Sequence, residues 1–235
     1  MSDLWTLTRK EFREAFYNRA SLLRYYGFGL LFAVLLPLNQ SRAGTASFVA
    51  NCLLWISYSA VITATGATMQ AFYTEKMKRT IETLLSTPLS DGALFGGKAL
   101  FSFLLAYLGV FVAFAAQLLV FNLIRLFSPA FIPGQGFLIY PGMALFGLLV
   151  TLPCLLLYVV NVGTLISLKV ANIRLANLMT MFCFVPLGLV LTLLKPDLTW
   201  TFVLQITVFL LMVDAAVFAL AVKWFRREAV ILSMP

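Results

Sequence analysis

The sequence predicts an all-α fold: a polytopic integral membrane protein of six transmembrane helices, with an N-terminal interfacial amphipathic helix and a short cytoplasmic helix between spans two and three. Three observations predict it. The 235-residue chain is 62% hydrophobic and only 11% charged, whereas a soluble domain is about half apolar and about a quarter charged. Its apolar residues gather into long runs, and a bilayer core of about 30 Å needs roughly 20 such residues per helix. Its Lys and Arg residues fall almost entirely into alternate connecting segments, as the positive-inside rule requires of a multi-span chain.

Residues 1–24 come first. With Ser2 or Asp3 as N-cap, a helical wheel puts Leu4, Trp5, Thr8, Phe12, Ala15 and Phe16 on one third of the circumference. Arg9, Lys10, Arg13 and Glu14 occupy the rest. Such a helix is expected to lie in the membrane plane with its aromatics dipped in, as a plain anchor or as one that also touches a cytoplasmic partner. The segment does not read as a cleaved signal peptide, having a long polar region with three acids and no A-x-A-like site.

Residues 25–222 hold the six spans, near Tyr25–Leu38, Phe48–Phe72, Ala99–Leu123, Gly142–Leu168, Leu175–Leu194 and Trp200–Val222. The first is short and carries Pro37, so it must start earlier, tilt or be shielded by neighbours. Arg9, Lys10, Arg13, Arg19, Arg24, Lys76, Lys78, Arg79, Lys98, Lys169, Arg174, Lys223, Arg226 and Arg227 fall on one side, against Arg42, Arg125 and Lys195 on the other. Both termini, including the tail 223–235, are therefore expected in the cytoplasm. The net charge of +8 reads as this topology signal, with the basic residues near anionic headgroups, and not as a nucleic-acid site.

The second span contains SYSAVITATGATMQA, Ser57 to Ala71. Small and hydroxylated residues there, among them Ser59, Thr63 and Gly66, either let helices approach closely or line a path with weak hydrogen-bonding groups. The fifth span offers Asn177, Thr180, Met181 and Phe184 at helical spacing. Such a mixed lining suits an amphipathic or hydrophobic cargo better than a bare ion.

The loop 73–92 is the most informative piece. Met77, Ile81, Leu84 and Leu85 recur at i, i+4, i+7 and i+8, one face of a helix of two to three turns. Thr87-Pro88 stops it, and Ser90 or Asp91 can cap the next helix, which becomes the third span. A helix so short is marginal alone, so its stripe must pack either on the underside of the bundle or in a groove of another protein. Gly92, Gly97 and Lys98 also match the spacing of a phosphate-binding loop. That loop needs a preceding strand and a Ser or Thr for magnesium; here a proline turn and Ala99 stand in those places. The match is fortuitous, and Lys98 is expected to snorkel to the headgroups.

Chemistry is limited by what is missing. With no His, Ser-His and Cys-His nucleophiles, His-ligated zinc and imidazole proton shuttles are excluded. Cys52, Cys154 and Cys183 sit singly in apolar runs and read as small buried hydrophobes. No metal site and no catalytic residue is expected. Asp214 is the one carboxylate well inside a span, about 12 Å from its inner end by helical rise. An acid at that depth is costly. It either fixes helix packing, proton-bearing or paired, or it relays protons, which would make the chain a proton-coupled secondary transporter.

The pattern E-K-x-x-x-T-I-E-x-L-L-x-T-P-L-S, Glu75 to Ser90, followed by Gly-Lys entering an apolar helix, resembles the permease subunits of type-2 ABC exporters (the ABC-2 type). The family usually has Gly before T-[IL]-E, where this chain has Arg79. The resemblance extends over essentially the whole chain, including ISLKVANIRLANLM, Ile166 to Met179. It implies a permease with no cofactor of its own, a second copy or paralogue beside it, and two separate ATPase subunits that bind ATP and Mg. It implies a bacterial or archaeal cytoplasmic (inner) membrane. It makes the loop helix a coupling helix, with Met77, Ile81, Leu84, Leu85 and Pro88 at the ATPase; Glu75 and Glu82 either orient it, by pairing with Lys78, Arg79 or a basic residue of the ATPase, or are plain surface charge. It also makes spans two and five the lining of the path. Within the superfamily, a haem-exporter-type permease of cytochrome maturation has similar length and topology.

Overall fold

The computed structural model describes residues 2–17, 19–39, 45–77, 91–128, 137–169, 175, 178–180 and 200–224. Everything regular among them is helical. The elements are α1 (Ser2–Tyr17), α2 (Arg19–Leu38), α3 (Thr45–Met77), α4 (Asp91–Phe127), α5 (Gly142–Phe146), a π-helical turn (Gly147–Thr151), α6 (Leu152–Lys169) and α7 (Trp200–Trp224).

Among the described residues, four helical stretches are long and apolar enough to cross a membrane: Phe48–Met69, Leu94–Phe127, Gly142–Ser167 and Val203–Leu220. The chain thus has the make-up of a multi-pass membrane protein. The apolar part of α2, Gly29–Leu38, is shorter, although the helix itself starts at Arg19, ahead of the apolar window. The expected fifth span, apart from Leu175 and residues 178–180, lies outside the described residues. So does the loop from 78 to 90. The helices outrun their apolar windows because backbone hydrogen bonding continues where hydropathy stops. At 37 residues, α4 is about 55 Å long, so it must tilt or project beyond a core of about 30 Å.

Helix α3 is the central post, packed against α2, α4 and α6, while α7 packs on α6 and the π turn. Its small residues permit this. Ala60, Ala64 and Val61 meet Ala99, Ala106, Val110 and Ala113 of α4 and Leu156, Val159 and Val160 of α6 in one buried cluster. In membranes close approach of small side chains drives helix association, since lipid tails are as apolar as Leu. A second cluster joins Phe48 and Cys52 of α3 to Phe121 of α4 and to Leu138 and Tyr140 ahead of α5. Cys52 and Cys154 are both buried and free.

The π turn has a local cause. Pro153 cannot donate a backbone hydrogen bond and its ring crowds the preceding turn. The helix widens just before it, and the Leu152 N–H bonds to the Gly147 carbonyl, five residues back. The widened turn presents Thr151 to α7, where its hydroxyl lies 2.8 Å from that of Thr207. Thr207 donates to the Val203 carbonyl at 2.8 Å, which leaves Thr151 as the donor of the pair.

One expectation needs correction, and the packing of α1 explains it. Lys98 does not snorkel outward: it is 0% exposed and lies 3.3 Å from Glu11, itself only 11% exposed. The side of α1 turned to the bundle overlaps the apolar third, sharing Thr8, Phe12 and Ala15 with it. Leu7 and Thr8 are buried, and Phe12 and Ala15 pack on Phe101, Leu105 and Ala67, while Trp5 and Phe16 stay 60% and 47% exposed. The bundle-facing side is centred about 50° from the apolar third on the wheel, which brings Glu11 in to the buried Lys98 ammonium, a charge that needs a carboxylate, and leaves Trp5 and Phe16 facing outward. Arg9, Lys10, Arg13 and Glu14 remain exposed as expected, with Lys10 and Glu14 3.7 Å apart.

Candidate functional site

Three polar regions contain residues that the sequence singles out. The first is the joint where α3 ends at Met77 and α4 begins at Asp91. Helix α1 lies against the opening turns of α4. Thr8 donates to the Gly97 carbonyl at 3.2 Å, Glu11 pairs with Lys98, and Phe12 meets Phe101 edge-on with ring centroids 5.2 Å apart. One turn further on, the Tyr26 hydroxyl of α2 donates to the Leu105 carbonyl at 2.9 Å. Gly109 makes room for this ring, since a Cβ there would stand 2.8 Å from Tyr26 Cε1. The first turns of α4 are thus gripped on one side by α1 and α2 together.

The backbone of Glu75 and Met77 belongs to the last turn of α3. Ile81, Glu82, Leu84, Leu85 and Pro88 lie outside the described residues, so the whole expected coupling stripe except its first residue stands beyond them.

The second region is the hydroxyl run of α3. Ser59 and Thr63 are buried. Thr63, Thr65 and Thr68 donate to the carbonyls of Ser59, Val61 and Ala64 at 3.0, 2.8 and 2.7 Å. Bonding to the carbonyl four residues back satisfies a hydroxyl inside its own helix. Ser59 also stands against Gly29 of α2, where a Cβ would approach its Oγ to 3.1 Å. Thr180, from the expected fifth span, is buried and shares Gly163 of α6 with Thr68: a Cβ at Gly163 would lie 3.3 Å from Thr68 Cγ2 and 3.6 Å from Thr180 Cγ2. Gly66 differs from these glycines. A Cβ there would meet nothing within 4 Å, so the middle of α3 has open space on that side. Asn177, Met181 and Phe184 lie outside the described residues.

The third region is the α6–α7 seam. Val203, Thr207, Leu210 and Asp214 form the buried stripe of α7, while Leu204, Val208, Phe209, Leu211 and Met212 face outward. Asp214 is 7% exposed, and neither of its oxygens has a hydrogen-bond partner among the described residues. No group of His, Cys, Asp and Glu among the described residues could hold a metal ion.

Sequence reasoning missed two features. One is Glu11, and a signal existed: it falls about 20° from Leu4 on the wheel, an acid at the edge of an apolar face. The other is Gln117 of α4. Its amide donates to the carbonyls of Ala33 in α2 and Cys52 in α3, and its oxygen accepts from Tyr140 at 2.6 Å. Asn122 accepts the Leu138 N–H at 2.6 Å. These bonds tie residues 138–140 to α4 at the end remote from Lys98. Burial holds the Tyr140 hydroxyl well above its ordinary pKa, so it stays a donor across physiological pH.

No protein-family model matches the chain, and no curated protein matches it.

Proposed function

We propose that this chain is the membrane permease subunit of an ATP-driven type-2 ABC exporter, forming the translocation path with a second copy or paralogue. Two separate ATPase subunits supply the energy, with ATP and Mg bound there and not here. The single observation that carries the reading is the Glu75–Ser90 motif, which bridges two of the longest helices of the chain. A push on that motif is delivered to the end of α3 and to the start of α4, which only residues 78–90 separate.

The division of labour is the one that the family resemblance implies. Met77, Ile81, Leu84 and Leu85 form a short apolar stripe that needs a covering surface, and an ATPase groove is the cover assigned to it. Glu75 and Glu82 orient the stripe, and Pro88 ends it. Helix α1, gripping α4 through Glu11, Thr8 and Phe12, moves with α4. Nucleotide-driven closure of the ATPases then tilts α3 and α4 as a unit and switches access between the two sides. The six-span topology, both termini in the cytoplasm and a bacterial or archaeal inner membrane belong to this proposal. So does a path lined by Ser59, Thr63, Gly66, Asn177, Thr180, Met181 and Phe184.

Purification of the tagged chain from its native membrane, followed by reconstitution, tests the reading. The expected result is a co-purifying soluble ATPase whose hydrolysis rate changes when the chain is present, and loss of that response in the double variant Ile81→Asp, Leu85→Asp. A chain that purifies alone and responds to no ATPase overturns it.

A further inference from the structure

The exporter reading makes no use of Asp214. It sits within the apolar stretch Val203–Leu220 of α7, its carboxyl buried among the side chains of the α6–α7 seam. Cys154 of α6 is close enough to interact with it electrostatically. The other polar groups on the packed elements are committed elsewhere. Thr151 and Thr207 are paired with each other, and Lys98 of α4 is held by Glu11 of α1. Four residues on from Asp214, Phe218 packs against Phe95 of α4 with ring centroids 6.2 Å apart, so the approach from that end is aromatic. A carboxylate placed here would have neither a cation nor a donor among the described residues, and it would be cut off from bulk water. Moving an unpaired charge into such a place is far more costly than binding a proton.

We infer that Asp214 is a proton-binding site built into the α6–α7 seam, occupied by a proton whenever that seam is closed. The ligand is the proton itself, held as the O–H of a neutral carboxylic acid. Ionisation requires α7 to part from α6 far enough for water to reach the carboxyl. The closed seam therefore binds one more proton than the open one. By linkage, raising the pH favours opening and lowering it favours closure. This property stands apart from the coupling loop and holds whether or not an ATPase drives the chain.

The test uses the full chain in phosphatidylcholine vesicles, with its aspartates carrying a carbon-13 carboxyl. At neutral pH, infrared absorption is expected to show a labelled protonated-carboxyl band that Asp214→Asn removes. Should the Asn variant fail to fold, Asp214→Glu, which takes the site out of the labelled set, removes the same band. Amide hydrogen exchange of residues 207–218 is compared between wild type and Asp214→Asn at each pH, so that the intrinsic chemistry cancels. The wild-type excess of opening is expected to grow with pH, by up to about tenfold per pH unit. Absence of the protonated band at neutral pH means an ionised Asp214 paired with a cation beyond the described residues, and overturns the inference. An exchange ratio that is the same at every pH overturns the linkage between proton and seam.

Discussion

Lys98 Nζ lies 3.3 Å from Glu11 Oε1, the lysine wholly buried and the glutamate nearly so. The two residues belong to the first helix of the chain and to the opening turns of α4, so one ion pair fixes α1 to the segment that follows the Glu75–Ser90 motif. A buried pair of this kind is poor evidence of net stability, because desolvating both charges offsets most of their attraction. Its consequences are clearest when one partner is removed.

Glu11→Ala leaves an ammonium buried without its carboxylate and is expected to cost roughly 3–5 kcal/mol, the range for breaking a buried pair from one side. Replacing both residues with Met should recover most of that loss. Thermal unfolding of the purified chain in detergent reads both, and a double variant no more stable than Glu11→Ala alone would remove the pair from this account.

Glycine substitutions separate two environments within the bundle. At Gly109 an added methyl would stand 2.8 Å from the Tyr26 ring. Gly109→Ala must displace that ring and its bond to the Leu105 carbonyl, at about 1–3 kcal/mol, the usual range for overpacking. At Gly66 the same methyl meets nothing. Gly66→Ala gains helix propensity and should be neutral or stabilising, by up to about 1 kcal/mol. Melting temperatures shifting in opposite directions would bear this out, and a large loss at Gly66 would show that its open side is occupied in the working protein.

Much of this architecture was legible in the sequence because solvent sets the rules. Apolar windows predicted the helices of the four long spans, and the proline at 153 explains a π turn that hydropathy could not reveal. The interior polar contacts were harder to read. Lys98 looked like a headgroup residue because it sits where an apolar run begins. Its real partner is 87 positions away in the chain, and only the packing of α1 on α4 brings them together. The same holds for Gln117, one polar residue in an apolar helix until Ala33, Cys52 and Tyr140 converge on it. Asp214 was visible from its isolation alone, since no neighbour was needed to mark an acid in a hydrocarbon stretch as unusual.

Gln117→Leu is expected to destabilise the far end of the bundle more than Tyr140→Phe does. The first change strips two carbonyl contacts and leaves the Tyr140 hydroxyl buried without its acceptor, while the second removes one donor and leaves the amide still bound to α2 and α3. Hydrogen bonds between membrane helices are worth about 0.6–2 kcal/mol each, so a difference of about 1 kcal/mol between the variants is the scale to look for. Equal effects would mean that Tyr140 and Gln117 act as one indivisible unit.

Pro153 gives the last prediction. The wide turn before it exists because residue 153 has no N–H to donate, and that turn brings Thr151 within 2.8 Å of Thr207. Pro153→Ala restores the donor, and the segment 147–151 should relax to ordinary α-helix. Removing the extra residue from the turn rotates everything on its N-terminal side by about 100° relative to α6. Thr151 then leaves Thr207 or Tyr140 leaves Gln117, since both contacts cannot survive that rotation. Cysteines at 151 and 207, cross-linked in a background lacking Cys52, Cys154 and Cys183, read the first contact directly. Efficient cross-linking with the proline in place and a sharp drop once Pro153→Ala is added is the expected pattern. Unchanged cross-linking would mean either that the rotation falls on the Tyr140–Gln117 contact instead, or that packing on α7, and not the proline, holds the turn open.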